Sequence, residues 1–135
     1  MVKGLRSFGN ALLAMVCVVA IASVSRAQDP TKVGPEIYKS IFENDRVRAN
    51  MITFKPGARI AMHSHPDHLL YWLKGGTLRI TNQGEKPTDV TGKDGDVMFL
   101  PAVSHMAENI GKTEVKIFQV ELKEPAPMKT ETEKK

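Results

Sequence analysis

Short apolar runs broken by turn residues fill the middle of the chain. Val47 to Phe54 mixes β-branched and aromatic residues and ends at the turn Lys55-Pro56-Gly57. Arg59 to His65 has strand character and is broken by Pro66-Asp67. Leu69 to Leu73 and Thr77 to Thr81 flank Lys74-Gly75-Gly76, which predicts a hairpin. A loop follows over 82–87, then a short run Thr88 to Thr91 and a tight Gly92-Lys93-Asp94-Gly95 turn. Asp96 to Leu100 predicts a buried strand, and Ser104 to Ile110 and Glu114 to Leu122 close the series. The stretch 36–44 is open between one helical turn and an edge strand. About eight short strands with regular turns predict an all-β sandwich or barrel. No segment between them is long enough for a crossover helix, which excludes a parallel α/β fold.

The run Leu69-Leu70-Tyr71-Trp72-Leu73 is apolar at both parities. A barrel strand normally alternates, so both of its faces need cover. A subunit interface meets that need, and so does coverage by the N-terminal segment. The expectation is a homodimer.

The ends differ from the middle. Lys3 and Arg6 precede the unbroken apolar run Ala11 to Ala22, and Ser25-Arg26-Ala27 puts small residues where a signal peptidase cuts. The apolar run is shorter than the ~20 residues a spanning helix needs. Residues 1–27 therefore read as a secretory signal peptide, with an uncleaved anchor as the alternative, and the protein is expected to be periplasmic or secreted. Residues 28–35 read as a linker, 36–122 as one domain, and 123–135 as a charged, disordered tail with too little apolar surface to order itself.

Cleavage changes the charge. It removes Lys3, Arg6 and Arg26 from 19 basic residues and none of the 15 acidic ones, so +4 becomes +1. No basic stripe with interleaved aromatics remains, so no nucleic-acid partner is expected, and no membrane partner after cleavage. The single cysteine, Cys17, leaves as well, which excludes disulfides and thiol chemistry in the processed chain.

Chemistry concentrates in four histidines. His63 and His65 are two apart on a predicted strand and share a face. His105 begins a later strand and supplies a third imidazole if that strand lies alongside. Iron, manganese, zinc, nickel and copper all accept imidazole. By itself the His-x-His pair is a weak signal, since histidines also occur in loops and in satisfied cores.

The surroundings add to this. Gly57-x5-His63-x-His65-x3-Leu69-x6-Gly76 resembles the first motif of the cupin superfamily, and Gly95-x5-Pro101 with His105-x3-Asn109 resembles the second. The resemblance spans 57–109. It implies a double-stranded β-helix, a jelly-roll barrel with a divalent metal in its mouth, held by His63, His65 and His105. Two departures stand out. Leu69 occupies the family's glutamate position, and the stretch from Pro101 to His105 is one residue short and lacks its usual glycine. Three neutral imidazoles leave a bound cation its full charge and open positions.

If Leu69 keeps the inner face, His68 lies outward or at the rim, where it suits substrate binding or proton transfer. The parity that follows puts Ala61, Leu69, Tyr71, Leu73 and Ala107 inside, with Met51, Phe54, Met98, Leu100 and Phe118 as further lining. His68 and Tyr71 are the catalytic candidates. Asp67 reads as a solvated turn carboxylate, Glu108 as outward, and Asn109 as a partner for neighbouring loop backbone. Arg48, Arg59 and Arg79 read as solvated strand arginines, with anion recruitment at the rim as the other reading. The functional expectation is a metal-dependent dioxygenase or isomerase of a small chelating substrate, and the alternative is a non-catalytic module that binds a small ligand or metal.

Overall fold

The computed structural model describes residues 28–124. The expected signal peptide and most of the expected tail lie outside them. Nine strands and one short helix follow in order: α1 (Pro30–Val33), β1 (Tyr38–Glu43), β2 (Val47–Phe54), β3 (Arg59–His65), β4 (His68–Lys74), β5 (Gly76–Asn82), β6 (Thr88–Gly92), β7 (Val97–Leu100), β8 (Val103–Asn109) and β9 (Val115–Leu122). They form a five-stranded sheet, β1-β2-β9-β4-β7, and a four-stranded sheet, β3-β8-β5-β6. Every pairing is antiparallel. The turn pattern called for an all-β sandwich or barrel and the cupin resemblance for a jelly roll; both agree with the architecture found, and the open stretch 36–44 resolves into edge strand β1.

The core lies between the sheets. Ile52, Phe54, Trp72, Val115 and Ile117 meet Ile60, Leu78 and Ala107 from the opposite sheet. Trp72 is the largest side chain in it, and Gly92 faces the indole so closely that a Cβ there would collide with the ring. Gly95 closes the preceding turn at φ 88°, a conformation that favours glycine.

The segment read as a linker has structure of its own. Asp29 caps α1 by accepting from the Thr31 amide at 2.9 Å. Pro30 is buried, Val33 packs on the core, and the Gln28 carbonyl accepts from the Ser64 amide at 3.0 Å.

The parity expected for β4 is inverted. His68, Leu70 and Trp72 face the interior, whereas Leu69, Tyr71 and Leu73 are 39%, 40% and 44% exposed on the outer face. The strand starts at His68, and its pairing with β9 sets His68 opposite Glu121, Leu70 opposite Gln119 and Trp72 opposite Ile117. A run that is apolar at both parities cannot choose its inner face, and burial of the indole decides it. Other inner-face expectations are corrected as well. Met51 and Phe118 pair with each other on the outer face of the five-stranded sheet, and Val97 and Phe99 make β7 an exposed edge instead of a buried strand. Ala61 is exposed because a bulge between Ile60 and His63 lets both neighbours point inward. Phe54, Met98, Leu100 and Ala107 line the interior as expected.

Candidate metal centre

Two adjacent strands build the site. β3 carries His63 and His65 on its inner face, and pairing with β8 sets His105 directly opposite His63. The ring centroids lie 4.7 Å apart for His63 and His65, 4.8 Å for His63 and His105, and 5.2 Å for His65 and His105. One ring nitrogen of each lies within 4.8 Å of the others. All three are buried, at 1%, 4% and 8% exposure.

The hydrogen bonds orient the rings. His63 Nδ1 donates to the Ala61 carbonyl at 2.8 Å, and His65 Nδ1 donates to Glu121 Oε1 at 2.6 Å. With those protons on Nδ1, each Nε2 offers a lone pair. The Nε2 atoms of His63, His65 and His105 are all buried without a hydrogen-bond partner. Three unpartnered ring nitrogens gathered in one place are costly unless something binds them. Burial drives the His63 imidazole down to about 4. Burial, reinforced by His63 and His65 beside it, drives His105 down to about 3. Both are therefore neutral at pH 7, the form that ligates metal. The donor set fits a divalent cation.

Glu121 lies behind His65. Its burial alone would raise the carboxyl, but hydrogen bonds from His65 and Arg48 outweigh that and hold it below the usual range. Gln119 Nε2 approaches His65 Nδ1 at 3.4 Å, a contact only, since that proton goes to Glu121. Tyr38 stands edge-on to His63 at 5.4 Å and tilted against His65 at 5.7 Å, and burial holds its phenol protonated well above the usual range.

A cavity of about 370 Å³ opens beside the histidines. His65, His68 and His105 reach it, Leu70, Trp72, Ile80, Met98 and Leu100 make its walls apolar, and Asn82, Glu85 and Lys86 also line it.

The remaining sequence candidates divide. His68 is 1% exposed and faces the cavity instead of lying outward, with its ring centroid 4.9 Å from that of His65. Its Nδ1 donates to the Pro66 carbonyl at 2.7 Å, and burial lowers its basicity. It is not one of the three clustered histidines. Tyr71 stands on the outer face, away from all of them. Asp67 accepts from the Ala102 amide at 2.8 Å and so ties the turn before β4 to the loop before β8. Asn109 donates to the carbonyls of Phe54 and Thr113, as its loop-bridging reading required. Arg59 and Arg79 form exposed pairs with Glu108 and Asp89. Arg48 does not recruit anions at a rim; it is turned inward onto Glu121. The pattern reading passed over Glu121, Gln119, Asn50 and Tyr38. The signal was present in β9, where Gln119 and Glu121 continue the inward parity of Val115 and Ile117.

A cupin-domain family model matches residues 50–121. The chain belongs to the cupin family. Solved cupins agree with the fold. A cupin domain of Bordetella pertussis Tohama I is 23% identical, with a TM-score of 0.61 over 65% of this chain and 93% of that one. A cupin superfamily protein of Desulfitobacterium hafniense DCB-2 is 24% identical, with a TM-score of 0.50 over 65% and 77%. A cupin-family protein of Methanocaldococcus jannaschii with a double-stranded β-helix fold is 20% identical, with a TM-score of 0.52 over 64% and 79%. No curated protein matches the chain. Among the described residues of this cupin, no helix is long and apolar enough to cross a membrane.

Proposed function

We propose that this cupin is an exported protein that holds one divalent metal ion through His63, His65 and His105 and takes a small, largely apolar ligand into the adjoining cavity. The observation that carries the reading is the set of three buried Nε2 atoms with no partner. A bound ion of iron, manganese, zinc, nickel or copper would supply Lewis acidity toward an oxygen-donor ligand. The protein's own groups do the rest. Apolar walls exclude water and select a compact carbon skeleton, and His68, with its proton committed to Pro66, presents a neutral Nε2 that can accept a hydrogen bond from a ligand. A dioxygenase or isomerase acting on a small chelating substrate uses these parts, with His68 as the proton acceptor.

A specific observation favours the non-catalytic reading as the alternative. With Tyr71 on the outer face, His68 is the one acid–base candidate of the original two that faces the cavity. Metal analysis tests the common part. Protein purified from the periplasm without an affinity tag should hold close to one equivalent of metal, lost in His63→Ala/His65→Ala. A redox-active ion would direct oxygen-uptake assays on small chelating substrates. No metal after reconstitution would end the metal-binding reading and leave a barrel that binds a small ligand or merely scaffolds.

We also infer that a second copy covers the outer face of the five-stranded sheet. Strand pairing lines up Phe42, Ala49, Val120, Leu69 and Phe99 in one row and Met51, Phe118, Tyr71 and Val97 in the next. Phe42, Leu69, Tyr71, Leu73, Val97, Phe99 and Leu122 are 39–60% exposed. At roughly 200 Å² for a large side chain, they present roughly 600 Å², close to the ~800 Å² each partner gives a stable interface. Residues 125–135, with their many charges, are poor cover for such a face. A two-fold dimer buries the same patch on both copies.

A further inference from the structure

His65 is the only one of the three clustered histidines with a carboxylate partner among the described residues. Glu121 gives Oε1 to His65 Nδ1 at 2.6 Å and Oε2 to Arg48, whose Nε and Nη2 both lie at 2.6 Å. Arg48 then reaches Asp29 Oδ2 through Nη1 at 2.7 Å. The charges alternate from Asp29 to Arg48 to Glu121, and the chain ends on the imidazole. Burial deepens along the same path: the side chains are 30% exposed at Asp29, 14% at Arg48, 2% at Glu121 and 0% at His65.

These residues come from separate places. Asp29 precedes α1, Arg48 lies on β2, Glu121 lies opposite it on β9, and His65 lies on β3. None of Asp29, Arg48 and Glu121 falls within the two histidine motifs over 57–109. The residue at the family's glutamate position, Leu69, is on the outer face. An ion pair this deep is poor evidence of a gain in stability, because desolvation offsets most of the attraction. Its geometry has a different consequence. A carboxylate on Nδ1 fixes the tautomer and the plane of the ring and makes Nε2 a better donor to a cation.

We propose that Glu121 is the positioning residue of this centre, holding His65 with its proton on Nδ1 and placing one negative charge on the side of the imidazole opposite Nε2, while Arg48 and Asp29 hold Glu121. The proposal rests on the metal-binding reading above. Both oxygens of Glu121 are already engaged, so it acts through His65 and not as a ligand. The segment before β1 thereby becomes part of the centre. Asp29 anchors the far end of the chain of charges, and Gln28 bonds Ser64, the residue between His63 and His65.

The test uses exported, processed protein and its Glu121→Gln, Glu121→Ala and Asp29→Asn variants, with two readouts. In metal-stripped protein labelled with 15N-histidine, wild type should show His65 protonated on Nδ1. Glu121→Gln should keep that signature, since its amide oxygen still accepts the proton, and Glu121→Ala should lose it. In competition with a chromogenic chelator for Zn²⁺, Glu121→Ala should bind about 10–100-fold more weakly, Glu121→Gln less so, and Asp29→Asn least. An unchanged tautomer and a Zn²⁺ affinity within twofold in Glu121→Ala, with wild type binding one equivalent, would overturn this inference alone. Affinity that falls only in proportion to the melting temperature of the stripped variants would reduce Glu121 to a structural pair and overturn it as well. Absence of stoichiometric Zn²⁺, Mn²⁺ or Fe²⁺ binding by wild type would remove the metal reading and this proposal with it.

Discussion

At the end of the five-stranded sheet that carries Arg48, Glu121 and His68, the two faces invert the usual relation between polarity and burial. On the inner face, rows run from Arg48 through Glu121 to His68, and from Asn50 through Gln119 to Leu70. Asn50, Gln119 and Glu121 are at most 2% exposed. On the outer face, Phe42, Leu69, Tyr71, Val97 and Phe99 are all at least 39% exposed. Burying polar groups costs free energy unless they are bonded, and exposing apolar ones forgoes the gain from burial. The inner polar groups are mostly bonded to one another and to His65, which marks a site they support. The outer apolar groups have no counterpart within the described residues, and this is the face we propose a second copy covers. A single strand, β9, serves both, with Glu121 pointing in and Val120 and Leu122 pointing out.

The largest effect should come from neighbours on β4 that differ only in face. Trp72→Ala should cost about 3–5 kcal/mol of stability, whereas Tyr71→Ala should stay within about 0.5 kcal/mol in a monomer, as for an ordinary surface change. Denaturant titration measures both, and equal losses would contradict the assigned parity.

Metal should support the inner face alone. At an ion concentration a hundredfold above Kd, linkage adds about 2.7 kcal/mol. The corresponding rise in melting temperature should vanish on chelation and in His63→Ala, and should persist in outer-face variants. Conversely, Tyr71→Glu/Phe99→Glu should convert dimer to monomer in sedimentation experiments and leave Zn²⁺ affinity unchanged. A wild-type monomer would refute the assignment of a second copy to that face.

Acid should act on the inner face of metal-free protein. The folded-state values of His63 and His105 are depressed from 6.5 to about 4 and about 3 by burial. Below pH 6.5 the unfolded chain takes up protons that the folded chain refuses. Stability is therefore complete above pH 6.5 and falls as pH drops through 4 toward 3. Melting temperatures of chelated protein across that range check the sign, and His105→Gln should flatten the slope. The smallest effect is expected at Arg79→Ala, whose pair with Asp89 is solvent-exposed and should leave the melting temperature unchanged.

The strand succession, its turns and the His63–His65 pair were legible along the chain, because each is a local pattern, whereas the place of His105 beside them was only implied by the cupin resemblance and depends on the pairing of β3 with β8. Alternation from Val47 to Phe54 marks a strand wherever it lies, Gly92 to Gly95 makes a turn by itself, and two histidines two residues apart on a strand share a face. The identity of the inner face of β4 was not legible. Leu69 to Leu73 satisfies either parity, and the choice came from the space between the sheets that admits the Trp72 indole. The bulge that exposes Ala61 was equally hidden, because it depends on the pairing of β3 with β8.

Spacing and local geometry are enough to dictate an all-β domain and a His-x-His strand with a third histidine in a later one. The packing of the two sheets sets Glu121, Arg48 and Asp29 behind His65, turns His68 inward and turns Tyr71 out. Such contacts join positions as far apart as 29 and 121, and only the closing of two sheets brings them within hydrogen-bonding distance.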